Sequence, residues 1–225
     1  GAELEQLLAD GESTRAAPCR VGVADVIPKT VVHQLLAPAL ELPVKLVCRE
    51  GRLDALAADL ALHRLDLVIA DRPLPPGLDI KGFSHPLGEC GVAFLAAPEV
   101  AARLAGEFPA RLAAAPLLVP GAYSALHTPL LRWLDGLGLA PRVVGEFDDS
   151  ALMLAFGQAG AGVFPVPDAS ASELLARHGL VEVGRTDAIR ERFFAISVER
   201  RLSHPAAVAV SEAARRRMPL GAGEI

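Results

Sequence analysis

The chain has 225 residues, of which 52% are hydrophobic and 22% are charged, a balance typical of a folded protein and not of a disordered or fibrous one. Its formal net charge of −5 argues against a surface that binds duplex DNA, because phosphate contacts need clustered lysine and arginine. Three widely spaced cysteines argue against a disulfide framework or a zinc site. No apolar run approaches the roughly 20 residues of a bilayer span. We therefore expect a cytoplasmic protein with no cofactor and no membrane contact.

The first part of the chain predicts strands that alternate with helices. A helix-length connection lets consecutive strands run in the same direction, so this alternation predicts a parallel sheet. Leucines at helical spacing open the chain, and small and polar residues then indicate a linker. The predicted elements, in chain order, are a helix over residues 2–9, a strand over 20–25, a helix from Pro28, a strand over 44–49, a helix over 53–61 and a strand over 66–70.

A second alternating series follows a crossing between two lobes. Residues 81–96 predict two strand-like stretches around a turn at 86–91, and after Pro167 a short helix, two strands and a helix from Pro205 to Met218 complete the chain. The series between them comprises a strand over 116–120, a helix carrying Leu126 to Leu137, a strand over 141–147, a helix over 151–159 and a strand over 162–166. The predicted domains are 1–18, the end of a linker helix and a linker; 19–97 with 168–225, a discontinuous first lobe; and 98–167, a second lobe.

Carboxylates follow four of the predicted strands. Ligands of open parallel sheets collect beyond the carboxyl ends of the strands, where this chain has Asp25, Glu50, Asp71 and Asp148. Each acid alone suits a helix cap, and Asp149 with Ser150 fits that role well. Four acids in one crevice would instead repel one another and favour a counter-ion. We therefore expect a site for a cation or a positively charged small molecule.

Catalytic motifs are missing from the sequence. It contains no HExxH, no G-x-S-x-G and no phosphate-binding G-x-x-x-x-G-K-[ST], and its GQAGAG run (157–162) precedes a strand instead of opening a helix. The hydroxyls of Tyr123 and Ser124 could face a ligand, although Ser124 also suits a helix cap and Tyr123 the rim of a cleft. We expect a non-catalytic ligand sensor, with a transport solute-binding protein or a small enzyme on the same scaffold as alternatives.

Several stretches resemble a known family. RVGVAD, VKLVCREGRLDALAADLALHRLDLVIAD and GQAGAGVFPVP resemble the effector-binding domain of LysR-type transcriptional regulators. GECGVAFLAAP, GEFDDSALMLAFGQAGAGVFPVP and RERFFAISVERRLSHPA resemble the branch that regulates sodium/proton antiporters. The likeness covers residues 20–218 and implies an α/β fold of two Rossmann-like lobes around a central cleft, as in type 2 periplasmic binding proteins.

The resemblance also implies partners. It predicts a small-molecule or cation effector, self-association as a homodimer or, at full length, a tetramer, and DNA binding only through an N-terminal winged helix-turn-helix that these residues lack. The expected dimer surface comprises Val31, Val32, Leu35, Leu36, Val208, Val210 and Ala214. The same apolar faces could instead belong wholly to the core.

The family's effector pocket can be placed on this sequence residue by residue. It would comprise Asp25, Val26, Glu50, Asp71, Arg72, Ala97, Gly121, Ala122, Tyr123, Ser124, Asp148, Val163 and Phe164. Many members have Ser or Thr in place of Asp25 and Val26, where hydroxyls and helix-start amides hold a carboxylate. Because an aspartate there repels anions, the sequence predicts a cationic effector, with a cation held by Asp25, Glu50, Asp71 and Asp148 as one form of the site.

Overall fold

The structure, a computed structural model, describes residues 17–218, and the helix predicted over residues 2–9 lies outside them. The strands are β1 (Ala17–Ala24), β2 (Val44–Gly51), β3 (Leu67–Ala70), β4 (Phe83–Ala96), β5 (Pro116–Pro120), β6 (Arg142–Phe147), β7 (Phe164–Pro167) and β8 (Val181–Ser197). The α-helices are α1 (Lys29–Leu36), α2 (Leu53–Ala61), α3 (Pro98–Ala101), α4 (His127–Gly136), α5 (Ser150–Gln158), α6 (Asp168–His178) and α7 (Pro205–Arg217). Short 3-10 helices cover Ala37–Glu41 and Ala110–Ala114.

The strands form a six-stranded sheet in the order β2-β1-β3-β8-β4-β7 and a two-stranded sheet of β5 and β6. Strand β1 pairs in parallel with β2 and β3, and β5 pairs in parallel with β6, which confirms the parallel pairing predicted from the alternation of strands and helices. Strands β4, β7 and β8 join the larger sheet in antiparallel register. Within residues 17–218 no helix combines the length and hydropathy that crossing a bilayer requires.

The prediction of two strands in each of the segments 81–96 and 180–198 was wrong. Each segment forms one long strand, and β4 and β8 pair along almost their whole lengths. The turn-prone residues of β4 lie at shifts in register, between Pro86 and Gly88 and between Cys90 and Val92. Bulges accept proline and glycine without ending a strand, so the pairing continues through them.

The interior is divided between two lobes. In the first lobe the sheet of β1, β2 and β3 packs against α1 and α7, with Val21, Leu35 and Phe193 in its core. In the second lobe a core around Phe94 and Leu117 includes residues from both long strands; its members include Val92, Ala96, Ala97, Val163, Val183 and Ile189. The carboxyl half of β4 and the amino half of β8 therefore pack with the second lobe. By this packing, the lobe boundaries would lie nearer residues 91 and 190 than the predicted 97 and 167.

The predicted dimer surface lies mostly inside the first lobe. Val31, Leu35, Leu36, Val210 and Ala214 are buried in its core, where α7 packs against α1 and the 3-10 helix that follows it. Val32 and Val208 are half-buried. Five of the seven side chains thus pack within their own chain, which favours the alternative that these faces belong to the core.

The second-lobe core gives a direct test of the fold. Phe94 is fully buried, and its ring centroid lies 5.6 Å from those of Phe108 and Trp133. We expect Phe94→Ala to lower the free energy of unfolding by about 3–5 kcal/mol, because it removes buried apolar area and leaves a cavity. Leu62→Ala, at a side chain that is 61% exposed, should change it by less than about 0.5 kcal/mol. Urea unfolding of both variants measures the difference, and equal effects would contradict the assigned core.

Candidate functional site

The two lobes meet along a cleft at the carboxyl ends of their parallel strands. Asp25 follows β1 and Asp71 follows β3 in the first lobe, whereas residues 121–125 follow β5 in the second. Parallel strands bring their ends to one edge of a sheet, where loops instead of regular structure face the solvent. The cleft is therefore lined by short polar loops that sit on rigid strands.

The cleft contains two pockets of about 380 Å³ each, and the main pocket is the one beside Asp25. Five of the predicted site residues line it: Asp25, Val26, Asp71, Arg72 and Tyr123. Its other walls are formed by Ala24, Arg52, Leu53, Asp54, Pro75, Gly77 and Leu78. The pocket thus combines three carboxylates and two guanidinium groups with an apolar wall, and its size suits a small ligand.

Asp71 joins the lobes by a hydrogen bond. The backbone N–H of Ala125 in the second lobe donates to Asp71 Oδ2 at 2.7 Å. Arg72 Nε lies 3.3 Å from Asp71 Oδ1, and the Asp71 side chain is only 11% exposed. Both carboxylate oxygens are therefore occupied by donors, and Asp71 acts as a bridge between the lobes.

Two further contacts cross the cleft. The guanidinium carbon of Arg52 lies 3.8 Å from the centre of the Tyr123 ring, a cation–π contact between the start of α2 and the loop after β5. On the other side of the cleft, the Ser150 hydroxyl at the start of α5 donates to the carbonyl of Ile27 at 3.1 Å. Together with the Asp71 bridge, these contacts hold the lobes in a closed arrangement.

Asp25 is the carboxylate of this pocket that lacks an ion pair among residues 17–218. Burial raises the pKa of Asp25 above its ordinary value, and the nearby carboxylates Asp149 and Asp148 raise it further. The Lys29 ammonium offsets part of this effect, but its short contact, 2.8 Å, is to Glu50. A positive charge in the pocket beside Asp25 would lower that pKa.

The remaining predicted site residues lie outside the main pocket. Ser124 and Asp148 line a narrow cavity of about 20 Å³ that also reaches Val26, and Asp148 packs directly against Gly121. Ala122 is exposed beside Tyr123. Ala97, Val163 and Phe164 are buried in the cores of the second lobe, where they support the loops without facing the pocket.

The predicted four-carboxylate cation site does not form. Glu50 forms an ion pair with Lys29 and lines none of the cavities described here, and Asp71 is bound to Arg72 and Ala125. Among residues 17–218, no group of three or more His, Cys, Asp or Glu side chains is placed to hold a metal ion. The binding of a cationic ligand in this cleft would therefore depend mainly on the carboxylate of Asp25.

Sequence reasoning missed two parts of the site. Arg52, Leu53 and Asp54 follow β2 directly, so the strand-end rule that selected Glu50 applies equally to them, and the structure shows that they form the wall. Glu191 lines two cavities between the lobes, but it lies inside the antiparallel strand β8, to which the rule for parallel strand ends does not apply. Its burial becomes visible only once β4 and β8 are paired.

Comparison with known proteins gives one family and many solved structures. Residues 13–219 match the LysR substrate binding domain family. Over 188 residues, 83% of this chain, the sequence is 38% identical to the transcriptional activator protein NhaR of Escherichia coli strain K12. The match covers 62% of that relative, so the chain spans less than two thirds of its length.

Solved structures with the same fold include regulators at low sequence identity. Full-length CbnR complexed with its target DNA aligns with a TM-score of 0.69 at 17% identity, over 96% of this chain and 77% of that one. The apo regulatory domain of HypT from Salmonella typhimurium aligns with a TM-score of 0.65 at 14% identity, over 88% of this chain and 94% of that one. These likenesses confirm the predicted fold class of two α/β lobes around a cleft.

The cation–π contact across the cleft can be measured by a double-mutant cycle. Arg52 and Tyr123 are both about half exposed, so we expect Arg52→Gln and Tyr123→Leu to show a coupling of about 0.5–1 kcal/mol in the free energy of unfolding. Arg64→Gln serves as the control partner for Tyr123→Leu, because Arg64 lies just beyond the other end of α2, where it pairs with Asp59. This second pair of variants should show no coupling in the free energy of unfolding. Equal coupling in both cycles would mean that the Arg52 contact does not join the lobes.

Proposed function

Because the chain belongs to the LysR substrate binding domain family, we propose that it is the effector-sensing domain of a LysR-type transcription regulator similar to NhaR. The relatives matched by sequence are transcriptional activators and not enzymes. The observation that carries the proposal is the main pocket, which has a first-lobe wall and a second-lobe wall that Tyr123 alone forms. A ligand that contacts both walls binds the closed arrangement better than an open one, and so shifts the balance between them.

The effector of this proposal carries a positive charge. Asp54 lies 3.6 Å from Arg52, and Asp71 pairs with Arg72, so both guanidinium groups of the pocket already face carboxylates. Asp25 is left to interact with the ligand, and its pKa is raised first by burial and then by Asp149 and Asp148, with Lys29 as a partial offset. A carboxylate ligand would have to approach this charge, whereas an alkali cation or an organic ammonium group would compensate it.

At the level of the whole protein, we propose a cytoplasmic regulator that self-associates and binds DNA through a module outside these residues. The support is the length of NhaR beyond the matched region and the structural likeness to full-length CbnR on its target DNA. Five of the seven residues first considered for the dimer contact are core residues, so association would use other surfaces. We also propose lobe boundaries near residues 91 and 190, on the strength of the packing of β4 and β8.

A thermal-shift experiment tests the proposed effector class. The 225-residue chain is heated without added salt and then, at one fixed ionic strength, in the chloride of sodium, lithium, potassium, choline or putrescine, or in choline benzoate. We expect at least one of the cations to raise the melting temperature, because a ligand that binds only the native state stabilises it by about 2.7 kcal/mol at 100 times its Kd. Asp25→Asn should lose at least ten-fold in affinity for that cation.

The matched control is Asp59→Asn, which removes a carboxylate from the surface of α2, where Asp59 pairs with Arg64. Its response to the cation should equal that of the unmodified chain. Stabilisation by benzoate with no response to any of the cations would overturn the proposed charge of the effector, while leaving the cleft as the ligand site.

A further inference from the structure

Besides Asp25, a second carboxyl group, that of Glu191, lies where the chain passes between the lobes. Glu191 is on β8, opposite Cys90 on β4, next to the shift in register between Cys90 and Val92. The Glu191 Oε2 atom is buried and accepts no hydrogen bond from residues 17–218. Its side chain lines the narrow cavity behind the main pocket and a separate cavity of about 380 Å³ on the other side of Asp71.

The groups that face Glu191 from neighbouring elements are mostly acidic or neutral. Asp71 approaches it from the end of β3 and Asp168 from the start of α6, while Cys90 faces it from β4. Burial, then Asp71 and Asp168, raise the pKa of Glu191 to about 8. Burial, with Glu191 as the largest charge contribution, raises the pKa of the Cys90 thiol to about 12, so this thiol stays protonated at neutral pH.

The nearby cations are directed to other carboxylates. Arg190 and Arg192 flank Glu191 on β8, and both form ion pairs with Glu89 on β4, at 3.1 Å and 3.2 Å. They lower the pKa of Glu89, with Arg192 contributing most. Arg72 pairs with Asp71. Asp148 adds another carboxylate to the narrow cavity. Among residues 17–218, the arginines nearest Glu191 are thus paired with other carboxylates, and its Oε2 atom has no hydrogen-bond donor.

We propose that Glu191 carries a proton while the lobes are closed, and that the loss of this proton breaks the hydrogen bond between Asp71 and Ala125 and opens the cleft. An ionised Glu191 would be a third carboxylate beside Asp71 and Asp168, and no residue in the described range 17–218 donates to its buried Oε2 atom, a costly arrangement for a buried charge. Asp71 is also the acceptor in the hydrogen bond that bridges the lobes. Separation of the lobes relieves the repulsion among these carboxylates and lets water reach the ionised Glu191.

The direction of the pH dependence follows from the raised pKa. Below about pH 4.5 Glu191 is protonated in both the closed and the opened or unfolded chain, so it does not change the equilibrium between them. Between about 4.5 and 8 the opened chain loses its proton and the closed one keeps it, so closure becomes progressively less favourable. Above about pH 8 the closed form is ionised as well, and the loss of stability is complete.

Two measurements on the 225-residue chain without effector test this proposal. Carboxyl carbon NMR of ¹³C-labelled glutamate should show one group, absent from Glu191→Gln, that titrates near pH 8. The hydrogen-exchange protection factor of the Ala125 amide should fall at least about ten-fold between pH 6.5 and 9, since each pKa unit lost on opening is a factor of ten in the opening equilibrium. In Glu191→Gln the protection factor should stay constant within about two-fold over that range.

Two variants keep the test decisive. Glu182→Gln, at an exposed ion pair with Arg185 on the same strand, should behave like the unmodified chain. Asp168→Asn removes one of the facing charges and should lower the titration midpoint of Glu191, which checks the mechanism even if Glu191→Gln fails to fold. A Glu191 midpoint below pH 6, or an Ala125 protection factor that is independent of pH in the unmodified chain, would overturn the proposal.

The link from this opening to transcription rests on the proposed function, whereas the titration and the exchange of the Ala125 amide do not. Their failure would leave the effector pocket in place. Conversely, a missing response to cations would leave the proton-dependent opening intact.

Discussion

The antiparallel pairing of β4 and β8 is the constraint on which the rest of the structure depends. These two strands run side by side from the first-lobe core into the second-lobe core, so their backbone pairing, which continues past three shifts in register, holds the lobes together. The loops that end β1 and β3 can therefore meet the loop that follows β5 at a fixed distance. Every contact across the cleft, including the bridge from Asp71 to Ala125, requires this alignment.

Charge is distributed unevenly along the seam between the lobes. At the front, Asp25 faces an open pocket, whereas Glu191 lies deeper, and its Oε2 atom accepts no hydrogen bond within the described part of the chain. Asp71 lies between them and is held by Arg72 and a backbone amide, so it is an electrostatic connection between the two positions. A ligand in the front pocket and a proton at the back would both act on the arrangement of this one side chain. That shared contact gives a physical route by which two signals could be combined.

Much of the fold was predictable from the sequence because the alternation of apolar strands and amphipathic helices is strong in residues 20–70 and 116–167. The long strands β4 and β8 were not predictable, since Pro86, Gly88 and Gly91 are typical of turns and only their pairing shows that they occupy bulges. For the site, the strand-end rule found Asp25, Asp71 and Arg72, but it also selected Glu50, whose partner Lys29 could not be seen from spacing. The family likeness suggested Val163 and Phe164, which the packing places in the core. Glu191 needed the three-dimensional structure, because its neighbours come from β3, β4 and α6.

Gly91 lies at the midpoint of the long β4–β8 ribbon. A Cβ atom at this position would approach Asp187 Oδ1 and the Thr186 carbonyl at 2.7 Å and Asp168 Oδ2 at 2.9 Å, so only a residue without a side chain fits there. The ladder of hydrogen bonds also loses its regular register at this point. A bulge bends the strand that carries it and increases its local twist. The crossing between the lobes is therefore most tightly filled at Gly91, where any side chain would have to displace Asp168, Asp187 or the backbone of Thr186.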